Sequence, residues 1–180
     1  MRRSAPFTTL LVLSLSTFFA SCQKEEVSPP LTPLTLRQEL TFKIPPGQSG
    51  PLDLTVAFDG TSAANALLAQ EGFSPDQLRD VRIADVRAVM IEPVNIPFNH
   101  VGSARVGFTK PDGQLAPFAH IDPVPADQPI LELTVDHTDL TGYFTGTAQD
   151  LHAALDLTGQ ASGDTARVRF VLEFQVKVSE

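Results

Sequence analysis

The chain has 180 residues, of which 42% are hydrophobic and 19% are charged, and its formal net charge at pH 7 is −8. This composition suits one globular domain and excludes a disordered chain, and the single Cys excludes a small domain held together by disulfides. Lys and Arg together number only 13, without the clustering that phosphate binding requires. We therefore expect no nucleic-acid partner.

Residues 1–21 have the order of charged and apolar residues that is typical of a secretory signal peptide. Arg2 and Arg3 precede an apolar stretch from Leu10 to Ala20, and the small residue Ser21 ends the segment. A helix that crosses a membrane needs about 20 predominantly apolar residues, and this stretch is far shorter. We therefore predict a cleaved signal instead of a transmembrane anchor.

The residues around the single cysteine resemble the lipobox of bacterial lipoproteins. Phe19, Ala20 and Ser21 precede Cys22, with Phe19 at the position where the family usually has Leu. The resemblance implies cleavage by signal peptidase II before Cys22 and acylation of its thiol and its amine. Ordinary cleavage at the small residues, which would leave no lipid, is the alternative.

The four residues after the cysteine are Gln23, Lys24, Glu25 and Glu26. They resemble the short signal of Lys and acidic residues by which Bacteroidota send lipoproteins to the outer face of the outer membrane. The resemblance implies a protein that is attached to the outer membrane by its lipid and exposed on the cell surface. A solvated charged tether, with the domain on the periplasmic face, is the alternative.

Residues 22–36 are predicted to form a tether between the lipid and the domain. They include Pro29, Pro30 and Pro33, which favour an extended polyproline conformation and cannot sustain a helix. We accordingly expect one folded domain over residues 37–180.

Within this domain, apolar residues recur at every second position, which is typical of strands with one buried face. Two such runs, Leu40–Ile44 and Leu52–Phe58, are separated by turn-forming residues and predict a hairpin-like pair. The run Val81–Glu92 changes its apolar phase between Ile83 and Val86, which indicates a bulge. Further strands are predicted at Arg105–Lys110, Pro117–Asp122, Leu131–Val135, Leu151–Leu157 and Val168–Val178.

A helical insert is predicted between the second and third strands. Thr61 or Ser62 can cap a helix that ends near Gly72, and Ser74 and Gln77 form a capping box for a further short turn. About eight strands with one short helical insert predict an all-β fold, an antiparallel β-sandwich of the immunoglobulin-like type.

No pattern of residues predicts a catalytic or metal site. The four histidines are widely spaced and belong to no metal-binding motif. The pairs most able to form a site are His120 with Asp122 and Asp136 with His137, although hydrogen-bonded surface histidines are the simpler interpretation. We expect no catalytic residue, no metal and no cofactor.

Three functions remain open from the sequence. The favoured one is a non-catalytic binding or structural module with a protein partner at the cell surface. The second is a carrier of an apolar ligand, which would require an enclosed cavity of several hundred Å³. The third is a metal-dependent hydrolase. Sugar binding is disfavoured because the chain has no Trp, and its one Tyr, Tyr143, is predicted to pack in the core.

Overall fold

The chain folds into two antiparallel β-sheets that pack face to face. The structure, a computed structural model, describes residues 30–94, 96–110, 114–146, 149–159 and 164–180. A 3₁₀ turn, Pro75–Gln77, lies between the first helix and the third strand. The elements in chain order are β1 (Leu31–Ile44), β2 (Gly50–Phe58), α1 (Gly60–Glu71), β3 (Leu78–Glu92), β4 (Val101–Thr109), β5 (Leu115–Ile121), β6 (Ile130–Glu132), β7 (Thr134–Val135), α2 (Thr141–Thr145), β8 (Gln149–Leu157) and β9 (Ala166–Ser179).

The strand order is β1-β9-β3-β6 in a four-stranded sheet and β2-β8-β4-β5-β7 in a five-stranded sheet. The predicted all-β antiparallel sandwich is confirmed, with nine strands in the described residues. The order is that of a jelly roll, because β1 to β4 alternate between the two sheets and the last strands, β8 and β9, return to lie beside β2 and β1. The immunoglobulin-like arrangement, in which the first two strands share a sheet, therefore does not describe this chain.

The predicted pairing of Leu40–Ile44 with Leu52–Phe58 is wrong. The strand β1 pairs with β9 along its whole length, from Leu31 opposite Ser179 to Ile44 opposite Ala166, and β2 pairs with β8. Each strand has one apolar face, and these faces meet across the core when the strands belong to opposite sheets. Alternation along the sequence indicates a buried face but not the neighbour in the sheet.

The boundary between tether and domain also needs correction. Residues 31–36 belong to β1 instead of the predicted tether, and the side chain of Leu36 is buried. The strand tolerates Pro33 because it lies at the edge of its sheet, where one side needs no backbone N–H donor.

The predictions for β3, β8 and β9 are confirmed. The register of β3 against β9 shifts between Ile83 and Asp85, which is where the change of apolar phase indicated a bulge. In β8, Leu151, Ala153, Leu155 and Leu157 are all buried. The fully buried face of β9 consists of Val168, Phe170, Leu172, Phe174, Val176 and Val178.

The capping residue of α1 differs from the prediction. The N-cap is Asp59, whose Oδ1 accepts from the backbone N–H of Ser62 at 2.9 Å, and neither Thr61 nor Ser62 serves as the cap. The predicted end is correct, since Gly72 has a left-handed conformation with φ of 81°. In the following turn, Gln77 Oε1 accepts from the backbone N–H of Ser74 at 2.8 Å, as the predicted capping box requires.

The sandwich has two different ends. The helical end holds α1, the 3₁₀ turn and α2, together with the start of β1 and the end of β9. The loop end holds the β3–β4 loop (described residues 93–94 and 96–100) and the β5–β6 loop (residues 122–129). Because β1 runs from the helical end to the loop end, the described chain enters the sandwich at the helical end.

Candidate functional site

The predicted lipidation and export residues lie outside the described residues. Cys22 and the segment Gln23, Lys24, Glu25 and Glu26 all precede residue 30. Their roles therefore stay predictions. Among the described residues, no helix has both the length and the apolar character needed to cross a membrane.

The structure does not gather the histidines at one place. His120 Nδ1 lies 3.7 Å from Asp136 Oδ2, so the contact joins one residue from each of the two predicted pairs. His152 Nδ1 lies 3.2 Å from Asp53 Oδ1 and links β8 to β2. Within the part of the chain that the structure describes, no three His, Cys, Asp or Glu side chains are grouped to hold a metal ion. The His152–Asp53 pair therefore joins two strands, and the His120–Asp136 pair joins β5 to the residue that follows β7.

Tyr143 packs against the core, as predicted from its sequence context. It belongs to α2, and its ring stacks on that of Phe108 with 4.4 Å between the centroids and 21° between the planes. The adjacent Phe144 is 1% exposed, and its ring centroid lies 4.9 Å from that of Phe174. One face of the tyrosine ring is therefore covered by Phe108.

Ion pairs cover the outer face of the four-stranded sheet. Arg167 Nε lies 3.0 Å from Glu92 Oε2, and Arg169 Nη1 lies 3.3 Å from Glu39 Oε2. Further pairs on the same face are Arg37–Glu39, Arg82–Asp80, Arg87–Asp85, Arg87–Glu173 and Lys177–Asp80. Because these charges compensate one another within the face, it offers little unbalanced charge to a ligand.

The two loops of the loop end are joined by hydrogen bonds. The backbone N–H of Phe98 donates to the carbonyl oxygen of Gln128 at 3.1 Å. The side-chain amide of Asn99 donates to Asp127 Oδ1 at 3.0 Å, and the backbone N–H of Asp127 donates to Asn99 Oδ1 at 2.7 Å. Asp127 has a positive φ of 59°, which an Asp tolerates better than most residues. The two-way contact with Asn99 holds the loops together.

Three large aliphatic side chains are exposed on these joined loops and at the strand that follows them. Val94 is 71% exposed, Ile96 42% and Ile130 47%. The other large hydrophobic residue that is exposed in the described chain is Leu31, at the helical end. A single exposed aliphatic residue is ordinary, whereas several of them at one end of the molecule form a candidate interaction surface.

An apolar hollow of about 60 Å³ opens between the sheets at the loop end. A carrier of an apolar ligand would need a cavity several times larger, so this hollow is too small to hold such a ligand. The hollow is lined by Ile44, Met90, Pro93, Ile96, Pro97, Phe98, His100, Val101, Leu157 and Ala166.

A second, open groove of about 500 Å³ lies beside β6, the edge strand of the four-stranded sheet. It contains apolar residues from the β5–β6 loop and the exposed Ile130. The groove is lined by Arg87, Ile121, Pro125, Gln128, Pro129, Ile130, Leu131 and Glu132. The β3–β4 loop thus lines the hollow and the β5–β6 loop lines the groove, and the Asn99–Asp127 contact joins these two loops.

Sequence reasoning missed the exposed residues of the loop end, although a signal was present. Val94 follows Pro93, Ile96 precedes Pro97, and Ile130 follows Pro129. Proline interrupts helices and the centres of sheets, so an aliphatic residue beside it in a loop lacks the regular partners that bury apolar side chains. A proline neighbour alone does not indicate exposure, however, since Phe98 follows Pro97 and is 3% exposed.

No protein-family model matches the chain, and no curated protein matches it. Among solved structures, the decameric BFDV capsid protein is similar at 14% identity, over 84% of this chain and 100% of that chain, with a TM-score of 0.41. The 60-mer form is similar at 13% identity, over 85% of this chain and 95% of that chain, with a TM-score of 0.39. Likeness at this level says nothing about what the present chain binds.

Proposed function

We propose that this chain is a lipoprotein, attached to the outer membrane through acylated Cys22 and exposed on the cell surface. Its role is that of a non-catalytic binding module, and its binding surface is the loop end. The proposal joins the signal-like residues 1–26 of the sequence to the exposed aliphatic residues Val94, Ile96 and Ile130.

The observation that carries the proposal is the position of these aliphatic residues relative to the entry of the chain. The described chain enters at Leu31 at the helical end, and the exposed residues lie at the loop end. The 14 residues of β1 span about 45 Å at about 3.3 Å per residue. An anchor that precedes Leu31 would therefore leave the loop end directed away from the lipid, where a partner can reach it.

The anchor is tested by replacing the cysteine. In the Cys22→Ala variant we expect the protein to be absent from the outer-membrane fraction, because no thiol is left for the first acyl chains and an uncleaved signal would hold the chain at the inner membrane. Fractionation and immunoblotting measure this, and intact mass of the purified wild-type protein detects the lipid. Ser28→Ala is the matched control, since it changes a small residue of the same segment and keeps the thiol. Unchanged attachment of Cys22→Ala to the outer membrane would overturn the anchor.

Surface exposure is tested with a protease added to intact cells. We expect wild-type protein to be degraded and a variant with Lys24, Glu25 and Glu26 all replaced by Ala to be protected, because the export signal is absent. A periplasmic marker protein that stays intact controls for cell integrity. Equal degradation of the two proteins would show that residues 23–26 do not direct export.

A further inference from the structure

We infer that the partner of the loop end is a protein segment that presents an aliphatic side chain flanked by Lys or Arg. This inference rests on the proposed function, because it names the chemistry of the partner at the same surface. Three properties of the loop end support it: the size of its apolar hollow, the sign of its charges, and its distance from Leu31, where β1 begins.

The hollow fixes the size of the apolar group. An engineered cavity of about 150 Å³ accepts a benzene ring, so the present volume of about 60 Å³ accepts a smaller group such as a branched aliphatic side chain. Nine of its ten lining residues are apolar, and Ile96 at its rim is exposed. A single side chain seated in such a hollow is the usual form of an anchoring contact at a protein interface.

The formal charges on the two joined loops and on β6 are all negative. The β5–β6 loop and β6 carry Asp122, Asp127 and Glu132, and residues 93–100 and 122–132 contain no Lys or Arg. Asp122 and Glu132 are exposed, whereas Asp127 is engaged by Asn99. Carboxylates at the rim of an apolar surface favour a partner with cationic side chains at matching positions.

The one cation that lines the groove is already compensated. Arg87 Nε lies 2.6 Å from Asp85 Oδ2, and Arg87 Nη2 lies 3.7 Å from Glu173 Oε1. Arg87 also lies opposite Glu132 in the pairing of β3 with β6. One cation is therefore shared among the carboxylates of Asp85, Glu132 and Glu173, and the surface around the groove stays negative.

Other occupants fit less well. A segment of about eight residues between Cys22 and Leu31 spans less than about 30 Å, whereas β1 separates Leu31 from the loop end by about 45 Å. That segment therefore cannot reach the surface. Anionic lipid headgroups would be repelled by the same carboxylates that attract Lys and Arg.

The experiment uses the full-length protein, purified from membranes and held in zwitterionic lipid nanodiscs. A phage library that displays random 12-residue peptides is the probe. Clones are selected on the wild-type protein and then tested on a variant with Val94, Ile96 and Ile130 all replaced by Ser. Because these residues are exposed, the variant should unfold thermally like the wild type, which is measured first.

We expect the clones that lose binding to the triple variant to carry Lys or Arg beside an aliphatic residue. For synthetic copies of these peptides, Asp122→Asn combined with Glu132→Gln should weaken binding about 3-fold to 10-fold, because two rim ion pairs are lost. The control, Glu71→Gln combined with Asp150→Asn, makes the same change of charge at the helical end and should alter binding less than about 2-fold.

The outcomes separate this inference from the proposed function. In one outcome, clones need Val94, Ile96 and Ile130 for binding and yet show no excess of Lys and Arg, or bind equally well after the change at Asp122 and Glu132. Either result would show that the inference of a cationic partner is wrong, while the proposed binding surface would stand. If no clone depends on Val94, Ile96 and Ile130, the proposed binding surface itself is wrong, and this inference falls with it.

Discussion

The two ends of the sandwich differ in how far their apolar residues are buried. At the helical end, α1 and α2 cover the core, and Phe144 lies among the rings of Phe58, Phe108 and Phe174. At the loop end, the covering loops leave a hollow and expose Val94. We therefore expect the helical end to contribute more to stability, and the loop end is the surface that we propose for binding. Substitutions at the two ends should therefore have different consequences.

The largest effect is expected at the centre of the helical end. Phe144→Ala removes a ring that is 1% exposed and should destabilise the fold by about 3–5 kcal/mol, because a cavity replaces its aromatic contacts. Urea unfolding measures the change. Tyr143→Phe is the control, since it keeps the ring that stacks on Phe108 and should cost much less. A loss below about 1 kcal/mol for Phe144→Ala would contradict the assignment of stability to this end.

A smaller effect is expected where α1 meets α2. A Cβ atom at Gly60 would lie 2.7 Å from the backbone oxygen of Tyr143 and 3.1 Å from Cδ1 of Phe144. Gly60→Ala should therefore separate the two helices and cost about 1–3 kcal/mol. At Gly142, also in α2, a Cβ atom would meet nothing within 4 Å, so Gly142→Ala is the matched control. Equal unfolding midpoints for the two variants would exclude close packing at Gly60.

At the loop end, loss of a tertiary contact should affect local opening more than global stability. Asn99→Ala removes both hydrogen bonds to Asp127, and we expect a global cost of only about 0.5–1.5 kcal/mol. Hydrogen exchange should become faster in the β3–β4 and β5–β6 loops and stay unchanged in α1. Faster exchange throughout the molecule would show that the loop end is not a separate unit.

The smallest effect is expected from protonation of Asp59, the N-cap of α1 at the helical end. The backbone N–H and the hydroxyl of Ser62 donate to Asp59 and hold the pKa of its carboxyl below the ordinary value of 3.8. The carboxylate thus stabilises the folded state above that pH, and this contribution is lost as the pH falls through the lowered pKa.

Asp59→Asn should accordingly lower the melting temperature at pH 7 and reduce the difference between pH 7 and pH 3. Thermal unfolding at the two pH values measures this. Ser62→Ala keeps the carboxylate and its backbone donor, so it should retain part of the pH dependence. An identical pH dependence of wild type and Asp59→Asn would rule out Asp59 as a source of acid sensitivity.

The sequence predicts features that depend on local pattern. Alternation identifies the buried face of β9, a change of phase locates the bulge after Ile83, and the Ser74–Gln77 pair predicts the capped turn. The choice of Asp59 as the cap of α1 was missed because several neighbouring polar side chains can accept the same backbone hydrogen bond.

Features that depend on distant pairing could not be predicted in this way. The partner of β1 is β9, which follows it by more than a hundred residues, and no local signal identifies it. The contact of His120 with Asp136 likewise requires the pairing of β5 with β7. The exposure of Val94 and Ile130 depends on which residues of each loop pack against the sheets, which is a property of the assembled fold.

The position of β9 in the four-stranded sheet has a consequence for how the chain reaches its fold. It follows every other strand in the sequence, yet it lies between β1 and β3 and pairs with both. Until residues 166–179 are available, β1 and β3 lack their common neighbour, and their apolar faces stay open to water and to other chains. The chain therefore has to avoid aggregation through most of its synthesis, and we expect closure of this sheet to be a late event.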